Sequence, residues 1–397
     1  MPAALRNRVT SGLLLVVVSF GCTDSPSQDT FEIFGDTIVV RSVQAGLWGE
    51  TRTAREDLRI GSVDGPDELS FGQIHQLALT PDGGVIVNDG FASRVSLFSN
   101  RGTFLGYVGR RGQGPGEFTG VKGLAVLRSG EIWLVTMHDK VLVFTAKREY
   151  VGEWSTSRQI AYSREGPVEL YDGRVALRVL PMVPGPFGHA TALEFYFLSP
   201  RGEVLDSAGP LSTPWDAEYE GDPLYFADKF VAWSPLDFGV ATVSSRLAFQ
   251  VFEKNGGIVR VERRTERALY HPDERKEHQL QQEYLRRRSR QPSRYPDIPE
   301  RKPPFGRVLL SRTGEIYFQL RTEAVGPDPA RVPEIAGIRT TPEWLEPLAL
   351  DAFDRGGRYL GRVEGPLGVL PLAVSGDTLW GLTKGALGET YVVRYVF

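Results

Sequence analysis

The chain has 397 residues, 41% of them hydrophobic and 24% charged, and a formal charge of −3. These are ordinary globular values, and the near-neutral balance gives no electrostatic footprint for nucleic acid. A single cysteine excludes an internal disulfide, while 44 glycines and 27 prolines spread along the chain suit many short strands and turns.

Residues 1–21 read as an export signal, with Arg6 and Arg8 ahead of the short apolar run Leu13 to Val18. That run is too short to span a bilayer as a stable helix. Cys22 closes the following Ser19-Phe20-Gly21-Cys22, which resembles a bacterial lipoprotein signal whose thiol is lipidated after cleavage; the alternative is a plain secretory signal. Residues 22–35 are expected to form a small, polar tether. Thr37 to Arg41 (TIVVR) reads as a strand with no evident partner.

Residues 36–397 are expected to form one all-β unit, a six-bladed β-propeller. The decisive feature is a self-match at a period near 47, between the stretch beginning at Phe71 and the stretch beginning at Phe118. Phe71 matches Phe118, Leu77-Ala78 matches Leu124-Ala125, and Val85 to Val87 matches Ile132 to Leu134. Each copy holds four strand-like runs separated by turn signals such as Asp82-Gly83 and Arg101-Gly102. Four antiparallel strands in a unit of this length make a propeller blade. Later blades keep the pattern: Asp172-Gly173 and Pro200 to Glu203 in the third, Asn255-Gly256 in the fourth, Thr313-Gly314 and Arg355 to Gly357 in the fifth. The sixth ends at Phe397, one strand short. Leu58 to Gly61 matches Tyr107 to Gly109, so the N-terminal region is expected to supply the outer strand of the last blade and close the ring.

The segment GRRGQGPGEF (Gly109 to Phe118), with SRVSLF before it and GLAVLRSGEIWLV after it, resembles NHL-type repeats. Together with VVRSVQAGLWG (Val39 to Gly49), it is similar to a group of uncharacterised bacterial six-bladed propeller lipoproteins. The resemblance implies the fold and an exported setting. It implies no activity, because NHL-type propellers include both interaction modules and lyases.

Strand reversal predicts where function sits. The first-to-second and third-to-fourth turns of every blade share one face, and all other connections share the opposite face. The first set is tight, as in TPDG at 80, SNRG at 99 and SRTG at 311. The second set holds every long segment, including a helical and loop insertion over 265–304 between blades four and five. Long loops gathered on a rigid scaffold are the usual seat of binding. Nine candidate residues fall on this face: His75, Asp89, Phe91, Arg94, Arg110, Arg111, Glu117, Lys122 and His138. The arginines suit a carboxylate or phosphate, or else bond neighbouring loop carbonyls.

Other motifs carry less. Gly112 to Gly116 lacks the following helix that a phosphate loop needs, and reads as a sharp connection between blades. The five histidines form no local metal signature. Asn88-Asp89 could contribute oxygens to a Ca²⁺ in the channel, or bond its own backbone. Pro272 to Gln291 reads as an exposed helix docked by Leu280, Tyr284 and Leu285. Ten basic residues against seven acidic over Thr265 to Lys302 make a basic patch or simply a solvated helix. No nucleophile elbow is present. The sequence therefore points to a binding scaffold anchored to the membrane at Cys22, engaging a peptide, glycan or protein. The alternative is a metal-dependent hydrolase or lyase with its site in the central channel.

Overall fold

The computed structural model describes residues 29–42, 46–161, 166–180, 194–209, 211–218, 228–288, 297–326, 334–335, 338–339, 344–386 and 388–397. Cys22, the export signal and His189 lie outside them.

Six antiparallel sheets form the blades of a propeller. Blade one is Ile74–Leu79, Val85–Asp89, Arg94–Phe98 and Phe104–Tyr107. Blade two is Val121–Val126, Ile132–Thr136, Lys140–Phe144 and Tyr150–Ser155. The second strands of both are continuous buried runs, because propeller blades are covered on both faces. Side chains interdigitate between neighbours. Trp133 meets Trp154 edge-on within blade two, and Phe249 of blade four stacks on Phe318 and Phe353 of blade five at 4.9 and 5.2 Å.

The hairpin turns explain why so many glycines are needed. Gly83, Gly102, Gly130, Gly173, Gly202, Gly256, Gly314 and Gly357 all have φ between +79° and +98°. In each, the glycine N–H donates to a carbonyl three residues back, such as Gly83 to Thr80 O at 3.1 Å. A type I turn completed by a left-handed residue recurs around the ring, and only glycine adopts that last conformation without strain.

The ring closes as expected. Arg55–Ile60 pairs antiparallel with Thr390–Val396, with Ile60 opposite Val392. Asp57 and Arg394 reinforce the seam with an ion pair at 2.7 Å. The strand that the sequence left without a partner is also placed. Thr37–Ser42 runs parallel to Ile258–Arg263, outside blade four, and Thr30–Phe34 pairs outside it in turn. Arg52–Thr53 then pairs parallel with Tyr359–Leu367 of blade five. The N-terminal segment thus edges blades four, five and six in succession, and Thr30–Phe34 falls within the stretch expected as tether.

The inner strands share an irregularity. The register slips between Ile74 and Gln76, Val121 and Gly123, Phe305 and Arg307, and Pro371 and Ala373. Each slip is a bulge at the same position of a blade, occupied by His75, Lys122, Gly306 and Leu372. A bulge re-aims the side chain it carries, and His75 and Lys122 occupy that position in blades one and two.

The insertion between blades four and five carries a helix, Pro272–Arg288. Of the expected apolar stripe, Leu280 is 58% exposed; the buried positions among the described side chains are Glu274, His278 and Gln282, spaced four apart on one face. Tyr284 and Leu285 have no described side chains. The helix docks on charge because Lys302, wholly buried beneath it, lies 2.9 Å from both Glu274 and Glu346. Arg321 completes the cluster at 2.7 Å from Glu346. Burial alone would raise the Glu274 carboxyl, but hydrogen bonds with His278 and Lys302 outweigh it and hold the pKa below the usual value.

Candidate functional site

On the long-connection face, several of the nine candidate residues are engaged in holding the scaffold together. Asp89 is buried at the end of its strand. Its carboxylate accepts N–H groups from Gly72 at 3.0 Å, Gln73 at 3.1 Å and Ala92 at 3.3 Å. Arg94 donates to Asp67 O at 2.8 Å and Ser70 O at 2.6 Å, pinning the connection that enters blade one. This is loop-carbonyl bonding rather than a free guanidinium. Lys122 is buried and donates to Asp139 at 2.5 Å and to Ile160 O at 2.9 Å, tying blade two to the chain entering blade three.

The Gly109 to Phe118 connection folds as a small parallel pairing of Arg110–Arg111 with Glu117–Phe118, with no helix after it. Glu117 accepts from the Gly114 N–H at 2.9 Å and pairs with Arg110 at 2.6 Å. Those two contacts, the backbone one foremost, pull its pKa below the usual value. Phe91, Arg111 and His138 remain at the surface. Phe91 is 81% exposed, Arg111 has no side-chain partner among the described residues, and His138 Nε2 sits 3.3 Å from the Thr119 hydroxyl.

His75 belongs to a cavity. Its imidazole lies against Gly90, so closely that a Cβ there would fall 2.1 Å from the ring. With Gln73, Leu370, Thr383, Lys384 and Thr390 it lines a cleft of about 330 Å³ at the seam of blades one and six. Lys384 reaches Thr390 Oγ1 at 3.0 Å, so its ammonium is held over the cleft rather than loose in solvent. No local pattern marks Lys384 or Thr390, since they share a cleft with His75 only because the ring brings blade six beside blade one.

A second cavity, of about 260 Å³, occupies the other end of the channel, at the tight-turn face. All six blades contribute to it: Leu79, Val126, Val168, Trp233, Leu310 and Ala373 are one from each. Leu372, the bulged residue of blade six, lines both cavities. At this mouth Arg128 pairs with Glu169 at 3.4 Å, and Arg312 of blade five crosses to donate to Leu79 O of blade one at 2.6 Å. Protein atoms crowding the Arg312 guanidinium lower its pKa although solvent still reaches the side chain, and the charge of Glu169 opposes that shift.

No group of three or more His, Cys, Asp or Glu suited to a metal occurs among the described residues. No helix among them is long and apolar enough to cross a membrane.

A family model described as a 6-bladed beta-propeller (DUF5128) matches residues 62–161. No curated protein matches the sequence. Among solved structures the chain is similar to a protein from Bacteroides fragilis NCTC 9343, at 10% identity and a TM-score of 0.49, covering 87% of this chain and 99% of that one. It is similar to a DUF4221 family member from Bacteroides vulgatus, at 10% identity and a TM-score of 0.46, covering 86% and 97%. It is also similar to virginiamycin B lyase from Staphylococcus aureus, at 12% identity and a TM-score of 0.42, covering 86% and 98%. At these scores the likenesses carry no argument about activity.

Proposed function

We propose that the protein is a non-enzymatic binding scaffold, exported and tethered to a membrane through a lipid on Cys22, which takes a peptide or glycan segment on its long-connection face. The observation that carries this reading is the cleft at the seam of blades one and six. It combines apolar walls from Leu370 and Leu382 with polar groups on Gln73, His75, Thr383 and Lys384. Concave sites of this mixed character, on a rigid frame, suit a ligand that needs both shape and a few fixed hydrogen bonds. Phe91, packed beside Gly72 and open to solvent, offers an apolar platform at the rim.

The test is a binding screen of the lipid-free protein against peptide and glycan arrays, followed by calorimetry on the hits. Lys384→Ala and Phe91→Ala are expected to weaken a true ligand at least about tenfold, the scale of an interface anchor. Hits that ignore both variants, or turnover of lactone or amidated-peptide substrates, would overturn the reading. The anchoring half is tested separately. Cys22→Ser is expected to move the protein from the membrane fraction to the soluble fraction with an unchanged melting temperature, and retention in the membrane would refute it.

A further inference from the structure

We infer that the tight-turn end of the channel is a second binding site, for a small organic acid whose apolar body enters the channel and whose carboxylate rests on Arg312. The cavity wall is apolar almost throughout, with Leu79, Leu124, Val126, Trp233 and Leu310 facing it. Its volume of about 260 Å³ sets the size of the guest. An apolar cavity of about 150 Å³ holds benzene, so this one takes a body of roughly ten to twelve non-hydrogen atoms.

Charge sets the other end of the guest. Three charged side chains line the cavity, namely Arg128, Glu169 and Arg312, and they sum to one positive charge. Glu169 is engaged by Arg128 and by the Arg128 backbone N–H at 2.5 Å. Arg312 makes no ion pair among the described residues. Its one described hydrogen bond goes to Leu79 O, on a blade that is not its ring neighbour. A guanidinium carries five N–H donors in a planar fork, so donors remain for a bidentate carboxylate. The geometry thus places a guanidinium with no ion pair among the described residues at the mouth of an apolar pocket whose lining charges sum to one positive.

The site shares only Leu372 with the cleft on the opposite face, and its test keeps the two apart. Octanoate, below its micelle concentration, is titrated into the protein while Trp233 fluorescence and calorimetric heat are followed. Octanol and acetate serve as the neutral body and the bare head. Octanoate is expected to bind at least about tenfold more tightly than either. Arg312→Gln is expected to reduce octanoate to the octanol level without altering octanol, and Arg312→Lys to retain part of the difference. Lys384→Ala, in the cleft, is expected to change none of these values. Octanoate that binds no better than octanol or acetate, or that ignores Arg312→Gln, would overturn the inference.

Discussion

Ile60→Ala tests ring closure at a single side chain. Ile60 sits in the strand that the N-terminal segment donates to blade six, and it is 2% exposed. It pairs with Val392 and belongs to one buried cluster with residues from both sides of the seam: Trp380 and Val392 from blade six, Phe98 from blade one. Truncating a buried isoleucine to alanine costs about 2–5 kcal/mol, the transfer free energy plus a residual cavity. A large domain loses about 2 °C of melting temperature for each kcal/mol, so the drop should be about 4–10 °C. Ile33→Ala is the matched control, since Ile33 lies in the outermost N-terminal strand and is 76% exposed; it should cost no more than about 0.5 kcal/mol. Calorimetry supplies both values, and amide exchange over Thr390–Val396 should quicken in the first variant only. Equal melting temperatures for the two variants would refute the closure, because a strand docked at the seam cannot lose a buried isoleucine without cost.

Two further outcomes follow from the charged cluster under the insertion. Lys302→Met leaves the buried Glu274 without its cation, while Glu346 keeps Arg321; a loss of about 3–5 kcal/mol is expected for the broken buried pair. Amide exchange over the helix Pro272–Arg288 should accelerate while Val85–Phe98 stays protected; adding Glu274→Gln should restore part of the loss, and a helix unaffected by Lys302→Met would refute the dock. The second outcome concerns pH. The folded pKa of Glu274 lies below its unfolded value, so its contribution is complete above the ordinary value of 4.5 and disappears as the pH falls through the folded value. Wild-type protein should therefore lose more stability on acidification across that window than Glu274→Gln, measured by urea denaturation, and parallel losses would count against the assignment.

What the sequence disclosed and what it withheld follow the range of each interaction. The period near 47, the glycine turns and the closing strand are visible because each is a local pattern or a self-match. Thr37–Ser42 announces a strand by its β-branched residues, but nothing local says that its partner is Ile258–Arg263. The inner-strand bulges are silent because a bulge leaves the residue pattern intact while changing where His75 and Lys122 point. The buried polar face of the helix was hidden for a specific reason. Glu274, His278 and Gln282 look like a solvated face until Lys302 and Glu346 are brought beneath them. Arg312 sits in a turn, SRTG, that reads as surface; its partner Leu79 O is 233 residues away.

The same long-range contacts show how the ring resists its own geometry. An inner strand has no outer neighbour across the channel, so its edge leaves backbone carbonyls without sheet partners. Side chains from the preceding blade fill that need. Gln76 of blade one donates to Leu124 O of blade two at 2.8 Å, and Asn88 donates to Val121 O at 3.0 Å. Lys122 of blade two reaches Ile160 O, and Arg178 of blade three reaches Val231 O of blade four at 3.3 Å. These bonds run in one direction, from blade one to two, two to three and three to four. They hold the inner strands in register where no sheet hydrogen bond can. Arg312 departs from this pattern: it skips blade six to reach blade one, and so spans the channel mouth instead of stitching neighbours. Lys122 and Arg178 show that a latch between adjacent blades can itself be charged, so charge alone does not distinguish Arg312. What separates it is reach: it spans an apolar opening to a blade that is not its neighbour.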